Sequence, residues 1–370
     1  MTTFIERPVA DREDGVSMAS GNLECTPFYL VAIAALGVGF GVFGSLVGCT
    51  EMDSETVDTI ASIDDLPTEI RAAVDADPQR RIGYAVYSRN CVGCHGINGD
   101  GDGPAAVHFK QTAPRDFRTG IFKFRSTPNG QLPLDSDLDR TIRQGLQDSP
   151  MPSFGFLPKR DRDAVIAFIK LYSSAWNDPL KTPHPVNLPV VEPNDLLTKE
   201  RVLRGRFAYI SMGCANCHGM TGRGDGTSAP TLKDDWGNPV RPYNYHRGAP
   251  KGGATPLDVY RTFRTGVTPM PMYQGNTLAL VTRDRKGMVF SRLVPDEQPL
   301  LEPVLESLAS DAEVRQWQAS DASKAENYAD ERAWDLVAYT LWLRESSRPK
   351  QAAIWPKGAK QFSETPGSRE

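Results

Sequence analysis

The feature that most constrains this 370-residue chain is a five-residue string that occurs twice. Cys91-Val92-Gly93-Cys94-His95 returns 123 positions later as Cys214-Ala215-Asn216-Cys217-His218. Residues three apart lie on one side of a helical turn. Two thiols so placed can both reach one edge of a porphyrin and close thioether bonds there. The next side chain, an imidazole, is then held under the ring centre, where a nitrogen can bind iron. This is the attachment pattern of a c-type haem. A lone Cys-x-x-Cys says less, since it also serves as half of a structural zinc site or as a redox dithiol. With only five His in the chain, one directly after each pair argues against both alternatives.

The surroundings repeat as well. The first copy continues Gly96-Ile97-Asn98-Gly99-Asp100-Gly101-Asp102-Gly103 and the second Gly219-Met220-Thr221-Gly222-Arg223-Gly224-Asp225-Gly226, with five of eight positions identical. Such glycine density lets a backbone pass close to a flat ligand. Self-similarity of this kind marks two copies of one unit. On these residues each copy resembles a class I cytochrome c domain, and the whole is similar to a membrane-attached dihaem cytochrome c. The resemblance implies an all-α fold of two tandem domains, at 77–178 and 198–350, and two covalently bound haem c groups. Cys91, Cys94, Cys214 and Cys217 are then the attachment points, and His95 and His218 the first iron ligands.

Before the first copy lie a polar tail, 1–27, an uncharged run, 28–50, and an acidic linker, 51–76. As a helix the 23 uncharged residues reach roughly 34 Å, enough for a bilayer core of about 30 Å. A membrane-spanning anchor is expected here. Leu46-Val47-Gly48-Cys49 offers a rival, a lipobox with acylation at Cys49. Haem attachment takes place outside the cytoplasm in the resembled family, which puts the domains on the periplasmic face. Acids precede any base after the run, in agreement with that orientation. The net charge of −4 gives no reason to expect a nucleic-acid partner.

A helix is expected from about Asp77 to Asn90, with Val202, Leu203, Phe207 and Ile210 marking its counterpart. Tyr84 and Phe207, each seven residues before a Cys, are expected to match. The resemblance pairs these helices with later ones, at 164–172 with Phe168 and at 334–343 with Tyr339. Each copy also holds a Pro-Met-Pro, at 150–152 and 269–271. The resemblance makes Met151 and Met270 the second axial ligands, and a thioether there raises the redox potential. Met272 is an alternative to Met270. Bis-His ligation would draw on His108, His184 or His246. Arg115, Lys123, Arg125, Arg241 and Arg247 are candidates for contacts to the haem propionates, which need cationic or hydrogen-bonding partners.

A proline-marked linker, 179–197, joins the copies, and a tail, 351–370, closes the chain. The second copy carries an insertion, 274–330. In it Thr277–Thr282 and Met288–Val294 suggest a β-hairpin, and Leu301, Val304, Leu305 and Leu308 an amphipathic helix. From Asp296 to Glu331 there are ten acids against two bases. This segment is expected either to cover the second domain or to dock a partner. In the docking case its deletion would spare both haem sites.

The expected function is single-electron transfer through two His/Met haems in a membrane respiratory or photosynthetic chain. The chain would serve there as a carrier or as the cytochrome subunit of an oxidoreductase complex. Redox partner proteins are expected, with no small-molecule substrate, no catalytic residue and no enzyme activity. The alternative is a dihaem enzyme, peroxidase-like or thiosulfate-oxidising.

Overall fold

The structure is a computed structural model that describes residues 62–109, 112–189, 192–248 and 250–345. The tail 1–27, the run 28–50 with Cys49, most of the acidic linker and the tail 351–370 lie outside the described residues. Among the described residues no helix is long and apolar enough to cross a membrane.

The described chain is helical, with short 3-10 turns and two isolated bridges. The first half holds α1 (Thr68–Asp75), α2 (Pro78–Asn90), α3 (Val92–His95), α4 (Asp135–Gln144) and α5 (Lys159–Ile169). The second half begins with α6 (Lys199–Ser211), α7 (Cys214–His218) and α8 (Pro256–Thr265). It continues with α9 (Gly275–Leu278), α10 (Lys286–Phe290), α11 (Gln298–Leu305), α12 (Asp311–Ser320) and α13 (Ala322–Glu345).

Helix starts follow local chemistry. The Asp77 carboxylate accepts from the Gln79 N–H at 2.8 Å, and Pro78, which has no N–H to lose, opens α2. Thr255 and Asp258 form a capping box at the start of α8.

Each half is built on one helix crossing, α2 over α5 and α6 over α13. Both crossings occur at a glycine. A Cβ on Gly83 would lie 2.1 Å from the Ala164 carbonyl oxygen, and one on Gly205 would lie 1.9 Å from that of Asp335. Any side chain there would hold the helices apart. Phe168 and Tyr339 lie beside these glycines, at matching places in the two halves. Tyr84 meets Phe168 edge-on at 5.5 Å.

The glycines also correct the expected alignment. Gly83 stands eight residues before its Cys and Gly205 nine. The counterpart of Tyr84 is therefore Arg206, and Phe207 does not match it. Arg206 is buried and donates to the Tyr339 hydroxyl at 2.9 Å and to the Glu297 carboxylate at 3.1 Å.

The insertion is part of the core. Leu278, Val281, Val289, Leu301 and Leu308 are all buried in the cluster that packs α6 and α13. The expected hairpin is absent: its first run starts at the end of α9, its second starts at the end of α10, and both continue into turns. Both runs are short and apolar, and at that length periodicity does not separate strand from buried helix. The amphipathic helix is present as α11. The Arg206–Glu297 ion pair ties the insertion to α6, so deleting 274–330 would open the core of the second half. Glu297→Ala leaves the guanidinium without its carboxylate and should cost about 3–5 kcal/mol. Replacing both residues by leucine or methionine should recover most of that loss. Urea unfolding midpoints of the three proteins check this.

Candidate functional site

In the first half α2 runs directly into α3, and Cys91 is the cap shared by both. In the second, Met212 and the left-handed Gly213 intervene between α6 and α7. None of Cys91, Cys94, Cys214 and Cys217 is in a disulfide. Burial pushes the Cys91 and Cys214 thiols up to about 12 and also raises Cys217. Redox dithiols need a shift in the opposite direction. Among the described residues no three His, Cys, Asp or Glu side chains converge as a metal site, so a zinc centre built from the two Cys pairs has no support.

Each histidine is held from behind. His95 Nδ1 lies 3.1 Å from the Arg115 carbonyl oxygen, and His218 Nδ1 lies 2.9 Å from that of Tyr243. A carbonyl can only accept, so the proton sits on Nδ1 and the Nε2 lone pair is left for a metal. Burial holds both imidazoles below their ordinary pKa, which keeps them neutral as ligation requires. Phe117 stacks on His95 at 4.5 Å between ring centres, and Tyr245 lies against His218 at 4.9 Å.

The loop after each histidine closes in the same way. The Tyr87 hydroxyl donates to the Gly96 carbonyl and the Tyr209 hydroxyl to that of Gly219, both at 2.7 Å. Gly96 and Gly219 have φ of 74° and 77°, and a Cβ on either would run into Asp100 or Asp225. Non-glycine residues take this conformation only under strain.

Sequence reasoning missed the residues behind the histidines. They carry a signal of their own. Pro114-Arg115-Asp116-Phe117 and Pro242-Tyr243-Asn244-Tyr245 share a Pro-x-Asx-aromatic pattern. The Asx side chain accepts from a backbone N–H two residues on, at 2.9 Å in both cases. That turn aims the carbonyl at the imidazole and lays the aromatic ring on it.

Met151 and Met270 are both half-buried. The Met151 carbonyl accepts from the Leu146 N–H at 3.1 Å, and the Met270 carbonyl from the Val267 N–H at 3.1 Å. A backbone bond closes each loop, over five residues in the first and over three in the second, where the Met270 N–H also donates to the Val267 carbonyl at 2.7 Å. Met270 packs against the core that also contacts Cys214. Met272 is turned elsewhere, with its sulfur accepting from the Asn129 N–H of the first half at 3.1 Å. His246 is engaged with the Thr221 carbonyl through Nε2 at 2.8 Å.

Of the propionate candidates, Arg241 and Arg247 are exposed. Lys123 pairs with Asp234 of the second half at 3.0 Å, and the Arg115 guanidinium lies 3.6 Å over the Trp236 ring. Arg125 is buried and bonds the carbonyls of its own loop.

Neutral ligand-ready imidazoles, thiols on one helical turn and a glycine loop closed beneath them together suit covalently held haem. Residues 81–172 match the Cytochrome c family, so this part of the chain is a cytochrome c domain, a type that carries covalently bound haem c. The chain is also similar to a chain of the reducing HAO-like protein complex of Kuenenia stuttgartiensis. Identity is 30%, the match covers 71% of this chain and 95% of that one, and the TM-score is 0.52. The chain belongs to the same family as that component of the complex. Among curated proteins none matches it.

This relationship overturns one expectation. The expectation that the chain has no enzyme activity, and is an electron carrier or electron-transfer subunit only, does not stand. The related chain is part of an assembly named for hydroxylamine oxidoreductase, an enzyme.

The lowered imidazole pKa values set a pH dependence. Below the ordinary value of 6.5 the unfolded chain takes up protons that the folded chain refuses. The stability from this source is complete above about 6.5 and is lost as pH falls toward the lowered values. Denaturation midpoints of the haem-free chain, measured downward from neutral pH, should fall through that window, and a flat profile would contradict the buried neutral state.

Proposed function

We propose that the chain holds two haem c groups and moves single electrons through them as a component of a redox enzyme assembly. The observation that carries this reading is the duplicated surround. Around both Cys-x-x-Cys-His strings a backbone carbonyl fixes Nδ1, an aromatic ring stacks on the imidazole, and a tyrosine hydroxyl closes the loop.

In this reading Cys91 and Cys94, and Cys214 and Cys217, are the thioether positions. His95 and His218 would hold the iron through Nε2, and Met151 and Met270 would hold it through sulfur. When bound, the haem provides reversible one-electron chemistry, and a His/Met pair favours the ferrous state. The protein's own part is to keep the imidazoles neutral and to limit solvent access with Tyr87, Phe117, Tyr172, Tyr209 and Tyr245. It also holds both sites in one scaffold through Lys123–Asp234 and Arg115–Trp236. The relative's membership of a complex supports a protein redox partner. The uncharged run 28–50 supports attachment to a membrane, with the haem sites on its periplasmic side.

A pyridine haemochrome assay of the intact protein should give two haems per chain. Met151→Ala and Met270→Ala should each remove about half of the sulfur-to-iron absorption and lower one of the two potentials. A count of one, or an absorption band unmoved by either change, would overturn the reading.

A further inference from the structure

The loops that carry Met151 and Met270 start and finish in the same way. Each starts at a glycine of positive φ that ends a helix, Gly145 after α4 and Gly266 after α8. A Cβ on Gly145 would lie 2.6 Å from the Pro152 carbonyl carbon, and one on Gly266 would lie 2.9 Å from the Met272 nitrogen. The returning chain thus passes directly over the glycine. Each loop then rejoins its helix. The Phe154 N–H donates to the Ile142 carbonyl at 3.0 Å, and the Tyr273 N–H to the Phe263 carbonyl at 2.9 Å. Both carbonyls stand three residues before the glycine. On this alignment Ser153 and Met272 hold the same place, two residues past the methionine.

The fastening between these ends differs. In the first half the Ser153 hydroxyl donates to the Arg143 carbonyl at 2.7 Å and ties the loop to its own helix. The Ser149 hydroxyl donates to the Leu146 carbonyl at 2.7 Å and accepts from the Met151 N–H at 3.3 Å. In the second half a methionine stands in the place of Ser153, and its tie runs to the other half. The Asn129 N–H donates to the Met272 sulfur at 3.1 Å, and the Asn129 Nδ2 donates to the Thr268 hydroxyl at 3.0 Å. Thr268 and Met272 stand two residues before and two after Met270, so one residue of the first half spans it from both sides. Asn129 is itself held in place. The buried Arg125 donates to its Oδ1 and to the carbonyls of Phe122, Lys123 and Pro128. With the amide oxygen so occupied, the amide nitrogen is the atom turned to the second half.

We infer that Asn129 of the first half is a positioning residue for Met270, and that the first half thereby sets how readily an outside ligand takes the place of that sulfur at the second site. The inference rests on the His/Met reading of the second site given above. An outside ligand enters only where the methionine loop has opened, so its apparent affinity scales with the open fraction. The bonds from Asn129 stabilise the closed loop. Loss of one net hydrogen bond raises the open fraction about five- to tenfold. The first loop has Ser149 and Ser153 for the same purpose, so the effect falls on the second site.

The test is a titration of the full-length ferric holoprotein with imidazole, read as loss of the sulfur-to-iron absorption and as the new ligand's spectrum. Met270→Ala, which leaves no sulfur to displace, should bind one imidazole per chain far more tightly than the unmodified protein. Asn129→Ala and Thr268→Val should each tighten the binding of one imidazole per chain, about five- to tenfold. Asn129→Asp keeps an oxygen for Arg125 and accepts from the Thr268 hydroxyl, so it should stay near the unmodified value. Added to Met270→Ala, Asn129→Ala should change nothing more, because no sulfur is left to position. Thr268→Val lies on the other half and keeps the side chain's shape, so it decides the matter should Asn129→Ala fold poorly. A large rise in Met270→Ala beside unchanged affinity in Asn129→Ala and Thr268→Val would overturn the inference and leave the proposed function intact. So would an equal rise when Asn129→Ala is added to Met270→Ala, since that marks a general loosening. No rise in Met270→Ala itself would show that its sulfur does not hold the second iron, and would overturn both.

Discussion

Two helices can approach to backbone contact only where one of them has no side chain. Here that happens at Gly83 on Ala164 and at Gly205 on Asp335. Much else follows from these crossings. They fix where the C-terminal ends of α2 and α6 lie, and the cysteines and histidines follow directly from those ends. They place Tyr87 and Tyr209 where their hydroxyls reach the loops after the histidines. The closeness of a helix pair thereby sets the position of a histidine several residues away.

The halves share this frame but stabilise it by different means. In the first, Tyr84 fills the place beside Phe168 with an aromatic contact. In the second, a buried guanidinium stands there, held by Glu297 and Tyr339. A buried ion pair is weak evidence for added stability, because its desolvation cost is large. Its effect here is positional, since it fastens an insertion of about sixty residues to the helix that leads into the second site. The acidity of that segment suggested a detachable docking element. Its apolar residues, which point into the core, show that it is integral.

What was legible in the sequence was what depends on neighbours along the chain. The Cys-x-x-Cys-His strings, the glycine loops and the helices that precede them are local patterns, and the structure places them as expected. The pairing of α2 with α5 and of α6 with α13 was legible through apolar spacing and the resemblance. The register was not, because one extra residue before Cys214 shifts every alignment counted back from the cysteine. Nor was the hairpin assignment sound, since Val281, Val289 and Phe290 suit a strand by propensity, and only their burial against α6 and α13 made them helical or turn residues. The residues behind the histidines were hidden for another reason. Arg115 and Tyr243 act through their backbone carbonyls, which side-chain chemistry does not reveal.

Trp236 has a wider consequence. It belongs to the second copy, yet it covers Arg115, whose carbonyl orients the imidazole of the first. The second copy thereby completes the surroundings of the first. Such a chain does not divide into spare parts: the first module keeps these surroundings only beside a second that carries Trp236.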